Sequence, residues 1–237
     1  MGEADTDRPP TPDYGETWVF ESIVGAVPGI DVDDRMALWI QFTVFEALVL
    51  VMAAGFDRWR AALPGTVAVV VATLGSALML DLGQRARAAP VPSVYRRLLF
   101  SANVEVVLGV VGYVAVIDVL FVYQPRHGLP FVDALLGPQV PLLAAFLLLL
   151  VLWDLCYRIG TAWWAALVSL WRSVSLDVDP AAAPALRAID RRIVVFAVLQ
   201  AALVPFLVDY PLLVLGLSGH VLAVLVVVGV ARMRTRP

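Results

Sequence analysis

Six side chains able to carry charge or hydrogen bonds interrupt stretches that are otherwise apolar: Glu46, Asn103, Glu105, Asp154, Arg158 and Gln200. Ionisable groups inside a bilayer cost a few kcal/mol each on insertion scales, so they are expected to face protein or water and to pair. Asp154 and Arg158 are four residues apart, which sets them on one helix face as an ion pair. At ~1.5 Å per residue from the arginine-rich boundary, Asn103, Glu105 and Gln200 lie roughly 10 Å deep and Glu46 roughly 15 Å. If these groups converge, three carboxylates meet one guanidinium, and the surplus negative charge calls for protons or a bound cation. That chemistry is a proton or cation path. The competing reading is a network of hydrogen bonds that fastens helices together.

A second group, Asp118, Asp209, Tyr210, Ser218 and His220, falls toward the opposite end. Pro205 and Pro211 interrupt the helix there, and the carbonyls they free can coordinate an ion only where they line a cavity. Asp209-Tyr210-Pro211 also has the make-up of an ordinary tight turn. Two histidines without ligand spacing and a single cysteine, Cys156, offer neither a metal centre nor a disulfide. No phosphate-binding glycine motif is present, and no cofactor is implied.

The elements that must position these groups are membrane helices. The chain is 61% hydrophobic and 16% charged, with a mean hydropathy of +0.85, where a soluble domain is about half apolar and a quarter charged. Crossings are predicted near 36–56, 64–82, 98–122, 139–158, 193–211 and 213–231, each close to the roughly 20 residues one passage needs. The acidic turn Asp31 to Asp34 is placed to cap the first. Residues 1–13, with three prolines, read as a disordered acidic tail. In 14–35, Trp18, Phe20, Ile23, Val24 and Val27 mark one face of an interfacial helix and linker. Residues 36–232 form the transmembrane domain and 233–237 a short basic tail.

Charge orients the bundle. All seventeen basic residues are arginine. Six crossings, with the fourth helix continuing along the inner surface to about residue 174, put thirteen arginines on one side against Arg58, Arg60 and Arg126 on the other. Basic residues in short flanking segments favour the cytoplasm, so both termini are expected inside a cell membrane. A turn at Gly160 would mix the two sets, and it is poorly encoded: residues 158–161 hold one glycine and no proline. Trp163, Trp164, Trp171 and Arg172 beyond it are headgroup-level residue types.

An arginine-only, acidic composition, with nine carboxylates in residues 1–35, resembles that of uncharacterised multi-pass membrane proteins from salt-loving archaea. The architecture resembles ABC-2-type permeases, in which a surface helix precedes six crossings. Gly216-Leu217-Ser218-Gly219 is similar to the rhomboid GxSG, but no later helix supplies the histidine, and His220 is two residues away and points elsewhere. Rhodopsins need a lysine, which this chain lacks. Archaeosortases spread their cysteine and basic residues over separate helices, whereas Cys156 and Arg158 share one.

The fold class expected is thus an all-α membrane protein, a six-helix transmembrane bundle with an N-terminal interfacial helix. Two functions are open: a small transporter, channel or permease subunit for protons, cations or a small solute, or a non-catalytic assembly protein whose polar residues lock its helices. The expected partners are the bilayer and either a second copy or a separate subunit. Nucleic acid is excluded by the lack of a basic stripe.

Overall fold

The structure, a computed structural model, describes residues 17–18, 33–101, 103–177 and 179–234. Among these the chain is helical throughout: α1 (Asp34–Gly55), α2 (Trp59–Ala88), α3 (Ser93–Ser101), α4 (Val104–Asp118), α5 (Phe131–Leu136), α6 (Leu142–Ser175), α7 (Ala183–Gln200) and α8 (Pro211–Arg234). α4 runs on through a π turn, Val119–Tyr123, and α7 through a 3-10 turn, Ala201–Phe206. Asp33 caps α1 as its position predicts, its carboxylate accepting the Met36 N–H at 2.7 Å.

Five helical stretches are long and apolar enough to cross a membrane: Asp34–Gly55, Trp59–Ala88, Ser93–Arg126, Leu142–Ser175 and Pro211–Arg234. α7 is not among them, because Arg187, Asp190, Arg191 and Arg192 crowd its first half. The third stretch is broken where Asn103 adopts a left-handed backbone (φ 51°), a conformation asparagine tolerates better than most residues.

α6 is the centre of the molecule and packs against α4, α8, α7, α2 and α3. As its sequence predicts, it is unbroken at Gly160 and runs 34 residues, about 51 Å against the ~30 Å of a hydrocarbon layer. Its second half differs from the surface extension expected. Gly160, Ala162, Ala165, Ala166 and Ser169 give it a small-residue face that neighbouring helices cover, so the segment is enclosed. Arg172, expected at headgroup level, is fully buried and ion-paired with Asp190 of α7 at 3.0 Å, with its guanidinium 5.8 Å from the Tyr95 ring centre.

Gly160 is the point of closest approach. A Cβ there would meet the Glu105 carbonyl oxygen and the Gly109 nitrogen of α4 at 2.6 Å each. α1 by contrast leans chiefly on α2, with Ala53 its one buried residue. A Cβ at Gly65 of α2 would meet Val49 of α1 at 2.8 Å.

Of the interfacial segment, Trp18 is described. It is buried, its indole N–H donates to the Leu99 carbonyl at 3.1 Å, and its ring meets Phe100 edge-on at 4.9 Å. Phe20, Ile23, Val24 and Val27, with the tails 1–13 and 235–237, lie outside the described residues.

Candidate functional site

Of the six polar residues in the apolar stretches, Asp154 and Arg158 meet each other, while Glu46, Asn103, Glu105 and Gln200 lie in other settings. Asp154 and Arg158 form the predicted pair, with two contacts of 2.6 and 2.7 Å. Arg158 also donates to the Ser76 hydroxyl of α2 at 2.8 Å, and Ser76 donates to Gln41 of α1 at 3.0 Å. Three helices are thereby joined by one buried chain of hydrogen bonds. Gly75 makes room for it, since a Cβ there would meet the Arg158 Cδ at 2.9 Å.

Glu46 stands apart from that chain and accepts a hydrogen bond from Thr66 of α2 at 2.7 Å. Glu105, in the first turn of α4, is 0% exposed, and neither carboxylate oxygen has a hydrogen-bond partner. Asn103 is exposed at the break before it. Gln200, at the end of α7, is 2% exposed with its amide oxygen and nitrogen both unpartnered.

In the second group, Asp118, Asp209 and Ser218 are exposed on different elements, whereas His220 is 5% exposed with both ring nitrogens unpartnered. Tyr210 packs edge-on against Phe131 of α5 at 4.9 Å. Burial, and then the carboxylate of Asp209, raise its hydroxyl above the usual tyrosine range. Among the described residues, no group of three or more His, Cys, Asp or Glu could hold a metal ion.

Sequence spacing did not single out a cavity of about 470 Å³ in the half of the bundle that carries the Arg58, Arg126 and Asp209 turns. α1, α2, α4, α5, α6, α8 and the 3-10 turn supply walls of Leu, Val, Ala, Phe and Met, including Met52, Val116, Leu120, Leu148, Leu152 and Leu217. Among the described residues, Arg58, Cys156, Gln200 and His220 are the polar or thiol side chains on that wall. Glu46, Glu105, Asp154 and Arg158 are not part of it. The size falls within the ~300–1,000 Å³ of small-molecule sites.

A family model described as a family of unknown function, DUF7530, matches residues 13–231. The chain belongs to DUF7530. No curated protein and no solved structure matches it. The family carries no activity with it, so the chemistry must be argued from the arrangement itself.

Gln41, Ser76 and Thr66 escaped the sequence reading because a single amide or hydroxyl is common in membrane helices and acquires meaning only through its partner on another helix. Gly75, next to Ser76 and against the Arg158 side chain, is the signal that could have pointed to that link: a glycine inside a long helix usually has a packing reason.

Proposed function

We propose that this chain is a six-crossing membrane protein that binds a lipophilic solute in the apolar cavity and serves as its carrier or as the membrane subunit of a carrier. The observation that carries the reading is the cavity, walled by residues of α1, α2, α4, α5, α6, α7 with its 3-10 turn, and α8, and lined almost wholly by hydrocarbon. Apolar pockets with a few placed polar groups are the usual form of a small-molecule site. The sixth crossing is α7 continued by its 3-10 turn. Since α8 starts directly after the Tyr210 turn and packs back on α7, the two form a hairpin. With the arginine-rich end at the cytoplasm, the cavity faces the outer leaflet.

A proton or cation path through Glu46 and Glu105 has less support, because neither touches the cavity. The assembly reading is favoured by a specific observation: Gln41, Ser76, Asp154 and Arg158 are hydrogen-bonded in a chain that ties α1, α2 and α6 together. A helix-locking network and a binding cavity are compatible in one molecule.

Filling the cavity tests the proposal. Ala144→Phe and Leu148→Trp replace wall residues with larger apolar ones. In nanodiscs, a saturably bound fluorescent apolar probe should be displaced from both variants while helicity by circular dichroism is retained. Probe binding unchanged in folded variants would show that the cavity is not where lipophiles go.

A further inference from the structure

The cavity has two chemically different ends. At the loop end lies Arg58, exposed, preceding α2 and the one charged residue on the wall. At the deep end lie Gln200 and His220, the latter nine residues into α8 and therefore roughly 14 Å below its start. Both are more than nine-tenths buried, and all four of their side-chain nitrogen and oxygen atoms lack a hydrogen-bond partner within the protein. Buried polar groups in folded proteins are seldom left unpaired, so two that line one cavity call for an outside partner.

The atoms available define that partner. A primary amide offers two N–H donors and a carbonyl acceptor, and a neutral imidazole offers one donor and one acceptor. Among the described residues, no charged side chain lines the deep end of the wall. An anionic head would be desolvated there with no cation to meet it, whereas a carbonyl or hydroxyl oxygen would find donors from two helices. From this juxtaposition we infer that Gln200 and His220 form the head-group subsite of the cavity, and that its ligand is an uncharged lipophile carrying a carbonyl or hydroxyl oxygen, such as a quinone or a long-chain alcohol, bound head inward. This inference rests on the cavity being a lipophile site and adds the ligand's class and orientation.

Trp163 provides a built-in reporter, its ring 6.3 Å from that of His220. With the protein in phosphatidylcholine nanodiscs, a decyl-substituted benzoquinone is titrated and tryptophan quenching followed, with Trp163→Phe identifying the local signal. Dodecanol, dodecanoate and dodecane are then used as competitors. The expected result is saturable quenching that Trp163→Phe removes, displacement by dodecanol at least about tenfold better than by dodecane or dodecanoate, and about tenfold weaker quinone binding in Gln200→Leu and His220→Leu. The competitor series needs only the wild-type chain, so a variant that fails to fold leaves the test intact.

Dodecane competing as well as dodecanol would overturn the subsite while leaving a lipophile site standing. Dodecanoate competing best, with that preference lost in Arg58→Gln, would put the head at the loop end and overturn the orientation. Absence of any saturable signal, together with no displacement of the fluorescent apolar probe by any of the four compounds, would remove the lipophile reading itself.

Discussion

At the scale of single residues, the molecule depends on where a side chain is absent as much as on where one is present. Gly160 meets backbone of α4, which cannot step aside, whereas a Cβ at Gly216 would meet nothing within 4 Å. Gly160→Ala is therefore expected to destabilise the protein by about 1–3 kcal/mol and Gly216→Ala to be near neutral, as read by thermal or SDS unfolding in detergent. Equal effects would show that the α4–α6 contact is not as close as described. Asp154 is the carboxylate of a pair whose arginine is 1% exposed. Asp154→Asn should cost about 3 kcal/mol by removing the carboxylate that the buried Arg158 pairs with, while the double change to leucine at 154 and 158 recovers much of that loss. A double variant no better than the single one would argue against mutual compensation. The pair was legible from its i, i+4 spacing. Its extension through Ser76 to Gln41 was not, because those residues are 82 and 35 positions from their partners.

At the scale of elements, the turns at the arginine-poor end are held by contacts between distant segments. Gly137, between α5 and α6, has φ +88°, and the Arg58 guanidinium from the α1–α2 turn lies where its Cβ would stand. Gly137→Ala should lower stability by about 1–3 kcal/mol through both the left-handed backbone and the displaced guanidinium. Adding Arg58→Ala should return part of that cost. Additive losses in this double-mutant cycle, measured by thermal unfolding, would mean that the two turns are not coupled. The bounds of α1 and α8 followed within about three residues from apolar run length and the acidic cap, which are local, whereas α2 outruns the expected 64–82 at both ends and α7 starts ten residues before the expected 193. The break at Asn103 and the enclosure of residues 160–172 were hidden, because tryptophan and arginine look alike to a sequence reader whether they meet headgroups or buried partners such as Asp190.

For the whole molecule, topology is the testable property. In a Cys156→Ala background, a membrane-impermeant thiol reagent applied from outside is expected to label cysteines placed at Arg58 or Arg126 and to miss one at Arg187. The opposite pattern would invert the bundle, and a cysteine placed at Asp209 that is missed like the one at Arg187 would mean that α7 and its 3-10 turn do not cross. Proton flux into liposomes carrying wild type, Glu46→Gln or Glu105→Gln should be indistinguishable, since neither carboxylate reaches the cavity. A flux lost in either variant would restore an ion path.

Composition and run length alone determine that this chain is helical and suited to lipid, because hydropathy acts over a single segment and needs no partner. The spacing of Asp154 and Arg158 determines their pairing for the same reason: four residues on a helix is a local distance. Which polar groups meet across helices, and that Gln200 and His220, 20 positions apart in sequence, line one largely apolar cavity, is decided only by the packing around α6. Interhelical contacts depend on rotation and depth, and a few small residues set those by letting backbones approach.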